Sequence, residues 1–227
     1  MKKVFLYLVI LTMPFMEISC ISTGRLTRIV DKGMKDTIPQ VDYSANIPQI
    51  KIKADTTFLI PGQTTAVKTK SRFIPAILYW QWEEDIKCDI GSKEIMKNFT
   101  SYLNYYADST GLTKKLKDKT LYLTIQSLPK EFIYKYGYIN LIIIVTYIDA
   151  TAETISPQNA DLKIKYCLYS GNSELKNGLI EYGTYMKDVD NNEWTSTKTF
   201  IRRYIYDYNE YLKQLARQVC VDLNKKI

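Results

Sequence analysis

Trp80 and Trp82 stand two residues apart, around Gln81, and run straight into Glu83-Glu84-Asp85. On a strand, residues two apart share a face. Both indoles would then point one way, with Tyr79 and Gln81 pointing the other. Such a pair can serve as an aromatic platform, for instance for a sugar ring, or as core packing under a helix. The carboxylate trio reads either as the start of a metal site or as a solvated turn. No second carboxylate pair stands out at a spacing that would mark glycosidase chemistry.

The thiols are the other candidates. Beyond Cys20 the chain holds Cys88, Cys167 and Cys220. There is no histidine anywhere, so a cysteine nucleophile would lack its usual base and a zinc site its commonest ligand. CxxC spacing is also missing, and the sequence calls for no metal and no cofactor. In an oxidising compartment three cysteines allow one internal disulfide at most. Cys167 falls in a predicted strand and Cys220 in the last predicted helix, where the two could meet. The other reading is three small buried hydrophobes.

The nine glycines form no GxGxxG, GxxxxGK[ST] or GxSxG motif, which leaves dinucleotide, P-loop and hydrolase-elbow readings without support. The 31 basic and 24 acidic residues give a net charge of +7. The cations are spread along the chain, whereas nucleic-acid binding wants a concentrated stripe, so no nucleic-acid partner is expected.

The chain opens MKKVFLYLVILTMPFMEISC. Lys2 and Lys3 precede an apolar run from Val4 to Met16, too short to span a bilayer, which takes about 20 residues. This is the form of an export signal. The junction Glu17-Ile18-Ser19-Cys20 resembles a bacterial lipobox. Glu17 stands where an aliphatic residue is usual, as in the relaxed lipoboxes of Bacteroidetes lipoproteins, which this stretch looks like. That resemblance implies cleavage after Ser19 and lipid on the Cys20 thiol. It also implies an outer-membrane anchor, and the lack of an acidic cluster after Cys20 implies a periplasm-facing one. Ordinary signal cleavage near Ser19 is the alternative, and would free the chain into the periplasm or medium.

The elements that must position these residues follow from periodicity. Residues 1–19 read as the signal, 20–48 as a flexible lipid-anchored tether, and 49–227 as one domain. Ile50, Ile52 and Ala54 alternate with Lys51, Lys53 and Asp55, a half-buried strand. FIPAILYWQW, residues 73–82, reads as one strand, with Pro75 indicating an edge strand or an irregular start. Ile95, Phe99, Tyr102, Leu103 and Tyr106 line one helical face from Ser92 to Ser109, with Gly111 as a stop. INLIIIVTYI, residues 139–148, reads as a central strand. Ile205, Tyr208, Leu212, Leu215, Val219 and Leu223 stripe a closing helix. Strands, helix, strands, helix predict an α+β fold: a mostly antiparallel sheet with two helices on one face, a two-layer sandwich. In topology this is similar to small domains of bacterial envelope lipoproteins such as transporter auxiliary lipoproteins. The expected function is a non-catalytic binding or accessory module of the cell envelope. Its partners would be the membrane, through the lipid, and an envelope protein or glycan. A soluble binding domain and a carboxylate-based envelope enzyme are the other readings.

Overall fold

A computed structural model describes residues 21–36, 49–76, 78–143, 146–158, 160–183, 185–192 and 194–227. Cys20 and the apolar run before it lie outside the described residues. The chain has an α+β fold. In chain order the elements are helix α1 (Thr23–Asp36), strands β1 (Ile50–Ala54), β2 (Thr65–Pro75) and β3 (Tyr79–Asp89), and helices α2 (Ser92–Ser109) and α3 (Leu112–Leu116). Strands β4 (Lys119–Ser127), β5 (Glu131–Ile143), β6 (Thr146–Pro157), β7 (Leu162–Ser170), β8 (Ser173–Tyr182) and β9 (Val189–Asp190) follow, then helix α4 (Thr197–Lys226).

The strands are mostly antiparallel, as expected, but form two open sheets where the sequence suggested one. The larger runs β2-β3-β5-β6-β9 and the smaller β1-β4-β7-β8. Among the described residues, β1 and β4 alone pair in parallel. The split arises because β4 does not pair with β5, its neighbour in sequence. It pairs with β7, beyond the β5–β6 hairpin.

Helix α4 holds the two sheets together. At 30 residues it is about 45 Å long, enough to cross both. Its N-terminal half packs on the larger sheet, where Tyr204 and Phe132 have ring centroids 5.0 Å apart. Tyr208 donates to the Pro129 carbonyl at 2.6 Å, between β4 and β5. Its C-terminal half lies on the smaller sheet, where the Tyr182 hydroxyl of β8 donates to Asp222. Helix α2 runs beside it, with Asn224 donating to the Thr110 carbonyl at 2.9 Å.

Two of the predicted strands are hairpins. The run 73–82 turns back on itself. β2 ends at Pro75, the Ala76 amide donates to the Tyr79 carbonyl at 2.7 Å, and β3 begins at Tyr79. Proline supplies no ladder N–H and marks the end of the strand. The run 139–148 likewise belongs to two strands, β5 ending at Ile143 and β6 starting at Thr146. Apolar residues fill both sides of that turn, so hydropathy alone shows no break.

The largest correction concerns the tether. Residues 23–36 are a helix, and Leu26, Val30 and Met34 on it are fully buried. Ile21 is buried as well, at 4% exposure. The helix starts at once, since Arg25 N donates to the Ser22 carbonyl at 2.9 Å and to its Oγ at 3.2 Å. The apolar positions 26, 29, 30, 33 and 34 are helical in spacing, but four cations and two glycines mask them. Gly33 is needed for the docking. A Cβ there would lie 3.0 Å from Ile205 of α4, tighter than ordinary packing allows.

Docking of α1 is testable. Leu26→Ala removes a fully buried side chain and should destabilise the protein by about 3 kcal/mol, read as a lower denaturation midpoint in urea. A tether would show no change.

Candidate functional site

The face of the larger sheet that meets the helices is set by alternation. On β3 Glu84, Ile86 and Cys88 are buried while Lys87 is exposed. Trp80 and Trp82 continue that face, and Tyr79, Gln81, Glu83 and Asp85 take the other, as their spacing predicted. Register carries the face across the sheet. Phe73, Trp82, Tyr138 and Thr151 form one row, and Ser71, Glu84, Tyr136 and Glu153 the next row toward the helices. Trp80 sits one row farther out, beside Pro75 and Asn140.

The aromatic row lies where helix cover runs out. Trp82 and Tyr138 pack against the edge of the core, while Phe73 is 49% exposed. Phe73 and Trp82 meet at 5.6 Å between centroids with planes tilted 49°. The Trp82 indole Nε1 is buried and makes no hydrogen bond. Asn140 Nδ2 donates to the Tyr138 hydroxyl at 3.0 Å. The result is a half-open aromatic shelf with polar atoms at its rim, a form suited to stacking a flat or ring-shaped group. The sequence indicated Trp80 and Trp82 but not Phe73 or Tyr138. Phe73 reaches Trp82 only because the hairpin closes at Pro75.

The acidic trio is not a turn. It lies within β3, where alternation puts Glu84 on the opposite face from Glu83 and Asp85. Glu84 points inward and pairs with Lys68 at 2.9 Å. Glu83 points outward and pairs with Lys70 at 2.7 Å. The Lys70 ammonium holds the Glu83 carboxyl below its usual range. The outer side chains form a ladder, with Tyr79 OH donating to Gln81 at 2.5 Å and Gln81 to Glu83 at 2.6 Å. No group of three potential metal ligands occurs among the described residues.

Glu84 and Glu153 share the inner face with Tyr136 between them. Two strand spacings put their backbones about 10 Å apart. Each is already engaged. The Glu153 carboxylate accepts from Tyr134 at 2.8 Å, from Asn191 at 2.5 Å and from the Thr197 hydroxyl. It clamps the loop before α4 to β6. That loop carries Trp194, 94% exposed and braced by Asn192, whose side chain accepts from the Trp194 amide at 3.2 Å and the Thr195 hydroxyl at 2.6 Å. Nothing in the pattern around Trp194 singled it out.

The disulfide considered for Cys167 and Cys220 does not form. All three described cysteines are free. On β7 Ile164, Tyr166 and Leu168 face the helices, so Cys167 faces away. Cys220 lies in the helix layer, its Sγ 3.5 Å from the Leu103 carbonyl. The strand itself stands between the two thiols. Burial pushes the Cys220 thiol up to about 12 and the Cys88 thiol higher still.

No protein-family model matches the chain, and no curated protein or solved structure is significantly similar to it. Among the described residues no helix is long and apolar enough to cross a membrane.

Thiolate is the reactive form of cysteine. In the native protein at mildly alkaline pH, iodoacetamide should therefore modify half-buried Cys167 first. Cys88 and Cys220 should react only after denaturation. Peptide mass mapping reads this directly.

Proposed function

We propose that the chain is a lipid-anchored, periplasm-facing envelope protein whose folded part is a non-catalytic binding or accessory module. The observation that carries the binding role is the aromatic row Phe73–Trp82–Tyr138, left half-open at the end of the larger sheet. An aromatic surface of this kind offers contact area at little entropic cost, and tryptophan and tyrosine dominate recognition surfaces for that reason. Tryptophan also stands beside the row, at Trp80, and on the braced loop at Trp194. A glycan ring or an envelope protein is the class of partner that fits. The Glu84 and Glu153 carboxylates are held by fold-internal partners, and this favours binding over hydrolysis.

The anchor rests on Ile18-Ser19-Cys20 and the short signal before it. Covalent acyl chains add about 0.8 kcal/mol per buried methylene, enough to hold such a domain at a membrane.

Metabolic labelling with a palmitate analogue should mark the wild-type chain and not Cys20→Ala. Label retained in the variant rules out an anchor at Cys20. For the shelf, the three tryptophans of the chain make intrinsic fluorescence a direct readout. Titration with cell-wall glycan fragments should shift emission in the wild type. Trp82→Ala should weaken that response at least about tenfold, the loss of one central aromatic contact. An unchanged affinity in Trp82→Ala removes the shelf from the binding surface.

A further inference from the structure

The burial of Ile21 has a consequence for how the protein meets the membrane. Cys20 is one peptide unit from Ile21, about 3.8 Å between Cα atoms. Ile21 is itself docked in the core, and α1 begins within the next turn of chain. Lipid on Cys20 would leave no slack between bilayer and domain. The part of the surface nearest Ile21 must then face the headgroups.

That part is α1. Its buried side is Leu26, Ile29, Val30, Gly33 and Met34. Its opposite side carries Arg25, Arg28, Lys32 and Lys35, spaced three, four and three residues apart, a single helical stripe. All four are exposed, and none forms an ion pair among the described residues. Arg28 Nε is turned back to the Gly24 carbonyl at 3.0 Å, and its charge remains at the surface. The two carboxylates of the helix flank the stripe: Asp31 stands three residues after Arg28 and four before Lys35, and Asp36 four after Lys32, so this side of the helix is cationic in balance and not uniformly. Asp31 is half-buried and close enough to Cys88 to act on its thiol. Asp36 lines a groove with Arg202 and Glu210. From Arg25 to Lys35 on this 14-residue helix the stripe extends about 15 Å.

We propose that α1 lies against the bilayer beside the anchor and that Arg25, Arg28, Lys32 and Lys35 bind anionic phospholipid headgroups. The proposal rests on lipid attachment at Cys20. Charge complementarity selects the occupant: cations near an anionic surface add binding individually, and an acyl anchor and a basic patch act together as two signals. The arrangement also fixes orientation, because a helix docked by five apolar positions cannot swivel.

The test uses the full chain, expressed with its own signal, extracted in detergent and returned to vesicles. One set is phosphatidylcholine alone, the other phosphatidylcholine with phosphatidylglycerol. An amine-acylating reagent followed by peptide mass analysis reads Lys32 and Lys35, with Lys225, 74% exposed, as the internal reference. Phosphatidylglycerol should lower labelling of Lys32 and Lys35 at least about fivefold relative to Lys225, in line with the contribution of a single basic residue at an anionic surface. High salt should restore it. Arg25→Gln/Arg28→Gln should lose the protection, and Arg25→Lys/Arg28→Lys should keep it. The same spectra report the mass of the Cys20 peptide. Unmodified Cys20 removes the premise and the proposal with it. Equal labelling in both vesicle types on an acylated chain overturns the proposal and leaves the anchor standing. Equal protection of Lys225 also overturns it, since the whole protein would then adsorb without orientation.

Discussion

Asn98 and Asn209 face each other in the middle of the helix layer, both fully buried. Asn98 Nδ2 donates to Asn209 Oδ1 at 2.9 Å and to the Met34 carbonyl of α1 at 3.1 Å. Asn209 Nδ2 returns to the Ile205 carbonyl of its own helix at 2.9 Å. One pair of amides thus ties α1, α2 and α4 at a single point. A buried amide without partners costs several kcal/mol, and the helices meet where both Nδ2 groups and Asn209 Oδ1 find partners, while Asn98 Oδ1 is buried without one. Apolar packing supplies the attraction, while this polar pair fixes the geometry. Asn98 also begins the letters Asn-Phe-Thr, and its burial closes that site to glycosylation.

The remaining architecture follows from that junction. With α1 and α2 held against it, α4 can reach over two sheets that share no strand. Its aromatic N-terminal half covers Phe132 and Pro129, and its C-terminal half covers β8. The helix layer stops short of the far end of the larger sheet, and Phe73 and Trp82 are left half-open there. The shelf is therefore a product of helix length and placement as much as of its own residues. The Glu153 clamp serves the same end from the other side. It fixes the loop before α4, and so fixes where that helix starts.

Much of the fold could be read from periodicity. The helices at 92–109 and 197–226 and the strands at 50–54 and 162–170 follow from local pattern, because each buries one face at a regular period. The two missed hairpins had apolar residues on both sides of the turn, so the pattern did not break where the chain did. The helix at 23–36 was missed for a different reason. Its glycines and cations look like linker composition, and only the partner surface on α4 makes Gly33 an advantage. Trp80 and Trp82 were legible as a same-face pair. Phe73, Tyr138 and Trp194 were not, since each acquires its place from a pairing or a loop brace distant in sequence.

The sequence by itself determined the α+β class, the alternation that puts Trp80 and Trp82 on one face, and the signal-like start ending at Cys20. These depend on residue type and short-range spacing, which the chain carries wherever it folds. Tertiary structure decided the division into two sheets, the opposite placement of Cys167 and Cys220, and the docking of α1. Each depends on which distant surface buries a given face, and burial is a property of the assembled core.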